Sequence, residues 1–255
     1  MVPDDAVPAS EHMAAQRPIG PKLDRPQRPS GRPAWFESWV VECVTDAADV
    51  GIRMELRVRP DQNRSQFHML LIRPGERVVW LDESEAPLPN PGLEVRSSGL
   101  WMEFNPQIPL EHFTADLEAF ALALDDPNDA AGNGYGHRVP VACELEWQQR
   151  GEPVTVPGGY KVPAFVMGDF QIGHEDLQID GWGWRSHTWG EDIPIDPFRG
   201  REHGSELDAG DDWDHDASVG LVLGWGLGLD GEHLRLVESG AGIGWRTVEA
   251  PGRSA

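Results

Sequence analysis

Ile52-Arg53-Met54-Glu55-Leu56-Arg57-Val58-Arg59 is the stretch on which the reading of this sequence turns. Ile52, Met54, Leu56 and Val58 alternate with charged residues, the period-two pattern of a β-strand with one apolar and one wet face. The chain then runs into Arg59-Pro60-Asp61-Gln62-Asn63, where Pro sets φ and Asn tolerates positive φ. A second apolar run at 67–73 ends in Arg73-Pro74-Gly75-Glu76, and a third follows at 77–81. With residues 35–45 ahead of them, these segments predict an antiparallel meander joined by hairpin turns.

Outward from this core the same texture continues. Short apolar segments recur at 93–97, 100–104 and 113–124, then at 139–148, 160–172, 177–184, 218–229, 233–237 and 243–248. Residues 114–122 are mixed, with helical propensity set against a strand-rich context that predicts a strand. The polar, Gly/Pro/Asn-rich segment 125–134 is the best internal boundary. It divides an all-β chain into a half at 34–125 and a half at 135–250. Residues 1–33, dominated by Pro, Arg, Ala and Ser, carry too little apolar surface to offset their ordering entropy and are predicted to be a disordered leader. The acidic loop 202–216 is expected to be mobile, and the tail beyond Pro251 frayed.

Composition narrows the function classes. A formal charge of −22 repels a phosphate backbone, and no Lys/Arg stripe offsets it, so nucleic acid is not an expected partner. No apolar run reaches membrane-spanning length, and the start lacks the basic and apolar regions of a signal peptide. Two cysteines, Cys43 and Cys143, without CxxC spacing, point to a reducing cytoplasm and leave open whether they are bridged. Gly-x-Ser-x-Gly, His-Glu-x-x-His and P-loop motifs are absent from the sequence. Gly224-Trp225-Gly226-Leu227-Gly228 lacks the following amphipathic helix of a dinucleotide site and reads as a barrel strand. Asp208, Asp211, Asp212, Asp214, His215 and Asp216 have a metal-like composition without EF-hand order, so they read as an acidic surface loop, and no metal is expected.

The main functional signal is Gly181-Trp182-Gly183-Trp184-Arg185-Ser186-His187-Thr188-Trp189-Gly190. Strand alternation places Trp182 and Trp184 on one face and Arg185, His187 and Trp189 on the other. Such a strand can be core packing, or it can wall a pocket in which Trp rings stabilise positive charge. In the second case Arg185 and His187 are the candidate catalytic residues, for polarisation and proton transfer, with Trp182, Trp184 and Trp189 shaping the site. Candidate acids nearby are Glu144, Glu146, Asp169 and Asp180, which as strand residues equally suit a wet face.

This block resembles the Gly-x-Gly-x-Arg-Asp-His-Ser-Trp-Gly block of the bacterial family related to hydroxyneurosporene synthase (carotenoid 1,2-hydratase) and the AttH-like proteins. Phe36-Glu37-Ser38-Trp39-Val40 is similar to that family's early strand. The resemblance implies two lipocalin-like antiparallel β-barrel halves packed together around an apolar ligand site. It implies an isoprenoid- or steroid-like ligand, with hydration, cyclisation or isomerisation by acid–base chemistry and no cofactor. A non-catalytic carrier of the same fold is the alternative. Ser186 stands where the family pattern has Asp, so any acid must come from another position.

Overall fold

The computed structural model describes residues 19–31, 34–46, 49–73, 75–90, 92–125, 135–156 and 158–191, with three further strands at 222–227, 234–239 and 246–249. Residues 1–18, the segment 126–134, the acidic loop 202–216 with its metal-like residues, and the tail beyond Pro251 lie outside the described residues.

Eleven strands form one antiparallel sheet: β1 (Trp35–Thr45), β2 (Gly51–Arg59), β3 (Arg64–Ile72), β4 (Val79–Ala86), β5 (Leu93–Ser97), β6 (Leu100–Ile108), β7 (His112–Leu124), β8 (Gly136–Gln149), β9 (Val154–Val156), β10 (Gly159–Ile172) and β11 (Glu175–Glu191). Their order is β4-β3-β2-β1-β11-β10-β8-β7-β6-β5, with β9 beside β10. A further pairing, Val79 with Ala123 and Trp80 with Leu122, joins β4 back to β7 and closes a ring of strands. Closure matters because an open sheet leaves a row of unpaired N–H and C=O groups at each edge. β7 serves two neighbours on that side: its C-terminal end meets β4, while Thr114 to Ala119 pair with β6. Strands from both sides of 126–134 enter the one ring, with β1 beside β11 and β7 beside β8.

The alternation in β2 has its expected consequence on one face. Ile52, Met54 and Leu56 point inward and are fully buried, joined by Phe67, Phe104 and Trp147 from other strands. A ring of about eight strands has an interior just wide enough for side chains to fill. The other face of β2 departs from a simple wet face. Glu55 and Arg57 are buried, and Arg53 bridges Glu42 and Glu55, the latter at 2.9 Å, while the Ser38 hydroxyl donates to Glu55 at 2.8 Å. Burial alone would push the Glu55 carboxyl up, but Arg53, His68, Ser38 and Arg57 together outweigh it and hold it below its ordinary value.

Residues 114–122 are strand: Phe113, Ala115 and Leu117 face the core, and Asp116 and Glu118 face out. Ladder partners on both sides override the helical propensity. The turn at Pro60–Gln62 is a short 3-10 helix closed by Asn63 at φ 52°, the left-handed position expected of Asn. Gly224-Trp225-Gly226 does lie in a strand, β12 (Val222–Leu227), but that strand pairs with β13 (Leu234–Ser239), which pairs with β14 (Arg246–Glu249), in a separate three-stranded sheet. Cys43 and Cys143 are both buried and unbridged.

The predicted leader needs correction over 19–31. Pro21–Asp24 is a 3-10 helix whose Asp24 is buried, and Ile19 and Leu23 pack on Leu110, Tyr160 and Val162. A Pro/Arg-rich composition counts against self-sufficient folding, but this segment is ordered by a surface it did not have to build.

Candidate functional site

β11 lies between β1 and β10, and the register fixes which of its residues face the core. His187 is opposite Trp39 and Tyr160, and Arg185 is opposite Val41 and Val162. Directly opposed residues share a face. Arg185, His187 and Trp189 therefore point inward, together with Gly181 and Gly183. Trp182 and Trp184 lie on the opposite face, where Trp182 packs edge-on against Phe165 at 5.5 Å and Trp184 is nevertheless buried, at 3% exposure. A methyl group on Gly183 would overlap the Glu42 carbonyl oxygen of β1. That same oxygen accepts a hydrogen bond from Trp147 Nε1 at 3.2 Å, so the bare α-carbon belongs to a tight crossing of backbone and indole.

The inward residues build a buried charged network. His187 is fully enclosed, stacked on Trp39 with centroids 4.7 Å apart and against Trp189 at 4.8 Å. Its Nε2 lies 2.8 Å from Glu37 Oε1, which also accepts the Gln27 backbone N–H at 2.7 Å. The Glu37 carboxylate accepts from Nε2–H, and Nδ1 lies 3.4 Å from the oxygen of the Tyr160 hydroxyl, whose one proton is directed elsewhere. Tyr160 donates onward to Asp24 Oδ1 at 2.5 Å. Burial, with the Asp24 charge and hydrogen bond, pushes the phenol well above its ordinary value against the opposing pull of Arg185.

Asp24 is where the network converges. Arg185 grips it with both terminal nitrogens, Nη2 to Oδ2 at 3.1 Å and Nη1 to Oδ1. The Leu110 backbone N–H reaches Oδ2 at 2.6 Å. Each carboxylate oxygen thus accepts two hydrogen bonds, a fork geometry suited to guanidinium and carboxylate. The Arg185 cation also sits 5.0 Å above the Phe113 ring.

The other sequence-predicted residues lie elsewhere. Glu144 and Asp169 are exposed on the outside of the ring, and Asp180 is exposed as well. Register sets Glu94, Glu103, Asp116, Glu144 and Asp169 opposite one another in turn across β5, β6, β7, β8 and β10. Partial burial, and then Glu144, Glu103 and Glu146, raise the Asp116 carboxyl above its ordinary value. Glu146 pairs with His112 at 3.2 Å, and Asp169 accepts from Gln178. None of these joins His187. An open surface hollow of about 410 Å³, lined by Ile108, Glu111, His112, Gln148, Gln149 and Arg150, lies on the outside of the β6–β7 turn and the end of β8.

Sequence reasoning missed Glu37, Tyr160 and Asp24. Glu37 left a signal: it shares the inward period with Trp35, Trp39, Val41 and Cys43, an acid on an apolar face. Tyr160 and Asp24 left none, because their roles depend on partners 27 and 161 positions away.

A family model described as a domain of unknown function (DUF7064) matches residues 20–192. No curated protein matches the chain. Among solved structures, CghA with Sch210972 is 11% identical with a TM-score of 0.35, the match covering 62% of this chain and 46% of that one. CghA without a named ligand gives 10% identity and a TM-score of 0.34 over the same shares, 62% and 46%. The chain spans just under half the length of these CghA structures, by the 46% coverage.

Proposed function

This chain belongs to the DUF7064 family of domains, and we propose that it binds a hydrophobic small molecule of isoprenoid or steroid type at the barrel end closed by residues 19–31. One observation carries the reading: five ionisable groups, four on the sheet (Glu37, His187, Tyr160 and Arg185) and Asp24 on a short segment outside it, are buried in one connected network. Burying charge is costly, and clustered buried ionisable groups are concentrated at functional sites. The surrounding walls, Trp189, Tyr160 and Leu110, supply apolar area next to those polar groups, the usual make-up of a small-molecule site. Among the described residues Phe67, Phe104, Phe113 and Trp147 occupy the ring interior, which favours the closed end over the barrel axis as the place of binding. Two buried, unbridged thiols suit a reducing cytoplasm.

The test is extraction of the purified chain and mass spectrometry of any bound lipid, followed by titration with a panel of terpenoids and steroids. Binding of one class at a single site, weakened by Trp189→Ala, is the expected result. No binding across the panel overturns the proposal.

A second, catalytic reading is favoured by the chain Glu37–His187–Tyr160, in which a carboxylate orients an imidazole against a phenol. Under that reading His187 moves a proton to or from a bound alkene or carbonyl, and Arg185 supplies fixed positive charge. Conversion of the bound molecule separates the two: a carrier releases its ligand unchanged, whereas an acid–base enzyme releases a product, and His187→Gln then abolishes that conversion while ligand affinity stays within a few fold. The resemblance of 181–190 to the block of hydroxyneurosporene synthase-like hydratases bears on this second reading alone.

A further inference from the structure

Asp24 is contributed by a segment outside the barrel, whereas every group that binds it belongs to the barrel or its turns. Arg185 comes from β11, Tyr160 from β10 and the Leu110 N–H from the β6–β7 turn. Leu110 holds φ at 69°, a left-handed conformation that a leucine adopts only against resistance, and its amide is the one that meets Asp24 Oδ2 at 2.6 Å. Arg185 is held from behind by Phe113, independently of Asp24. The receptor half of the contact is therefore built into the sheet, and the carboxylate half is delivered by a short tether. Beside it, Ile19 and Leu23 cover Leu110, Tyr160 and Val162. A carboxylate flanked by two aliphatic side chains has the chemical outline of an amphipathic carboxylic acid.

We propose that Arg185, Tyr160 and the Leu110 N–H form a carboxylate-binding site that Asp24 occupies internally, and that an aliphatic carboxylic acid takes it when residues 19–31 withdraw. This rests on the reading that the barrel end receives a ligand, and it names that ligand's polar group. The apolar body of the acid lies where Leu23 and Ile19 now lie. Withdrawal exposes the Tyr160 hydroxyl and the face of Trp189, so the incoming molecule meets the His187 network directly.

The experiment is chemical rescue in the full chain. Asp24→Ala leaves Arg185, Tyr160 and Leu110 without their acceptor, and the thermal midpoint falls. Sodium acetate restores part of that loss beyond sodium chloride at equal ionic strength, and octanoate does so at a concentration at least roughly tenfold lower, because its chain buries apolar area. Asp24→Ala/Arg185→Met gives no carboxylate-specific rescue. Should Asp24→Ala fail to fold, Asp24→Asn is used in the same assay, and the wild-type chain supplies a second readout. Lys22 is exposed, and Arg25 and Arg28 precede prolines, so the Lys22–Leu23 bond is the tryptic site within 19–31. Octanoate, and not 1-octanol, accelerates cleavage there. Equal effects of carboxylates and chloride on the variants, or of octanoate and octanol on cleavage, overturn the proposal. Acetate has no apolar body, so its result stands apart from the terpenoid and steroid panel, and either reading can fail alone.

Discussion

Arg185 and Asp24, 161 positions apart, form a two-pronged ion pair in which the side chains are 2% and 1% exposed. The pair ties a segment of low intrinsic order to the most enclosed part of the barrel. A buried ion pair is a weak source of net stability, since desolvation of both ions offsets most of their attraction, but a half-broken pair leaves an uncompensated buried charge.

Asp24→Ala and Arg185→Met should therefore each destabilise the chain by about 3–5 kcal/mol. The double variant Asp24→Ala/Arg185→Met should lose clearly less than the sum of the two single losses. Urea denaturation of the four proteins measures this coupling, and strict additivity would falsify the account of the pair.

Gly183→Ala should be far more damaging than glycine-to-alanine exchange in an ordinary strand. Its new methyl has to displace the Glu42 carbonyl from the Trp147 indole N–H. The expected outcome is a large fall in the thermal midpoint accompanied by a change in tryptophan fluorescence. An unchanged midpoint would mean that β1 and β11 have room that the register does not show.

Two carboxylates should give opposite pH dependences. Glu55 is held below the ordinary carboxyl value of 4.5, so its contribution is present above that pH and is lost as pH falls through its lowered value. Asp116 is held above 3.8, so its contribution is present below that pH and is lost as pH rises through its raised value. At pH 7 Asp116→Asn relieves the cross-strand repulsion with Glu103 and Glu144 and should stabilise by about 0.5 kcal/mol, the gain shrinking as the solution approaches the ordinary carboxylate range. Glu55→Gln should destabilise at pH 7, and the difference should narrow on acidification. Denaturation midpoints at neutral and acid pH check both signs.

Cys43 and Cys143 should resist alkylation in the native state. Burial, together with Asp116, Cys43 and Glu144, raises the Cys143 thiol far above its usual value, and both side chains are buried. Labelling with iodoacetamide should proceed only as fast as the chain unfolds. Rapid modification of Cys143 in folded protein would contradict its placement.

The strand character of Ile52 to Val58 and the division of Gly181 to Gly190 into two faces could be read directly from the amino acids, because alternation is a property of neighbours along the chain and needs no partner to express itself. The same logic located Arg185, His187 and Trp189 on a shared face. It could not say that the face looks into the barrel, because that depends on β1 and β10 lying on either side of β11. Composition places Asp24 in a disordered leader, because it measures only what a segment can bury by itself, and the barrel surface orders that segment instead. Glu144 and Asp169 read from sequence as candidate acids on strands near His187, and the register across β8 and β10 turns them outward. What the sequence determined alone was an all-β chain and the faces of its strands. Closure of the ring and assembly of Glu37, His187, Tyr160, Asp24 and Arg185 were decided by tertiary structure, since contacts between residues far apart in the chain arise only when the sheet brings their strands and turns together.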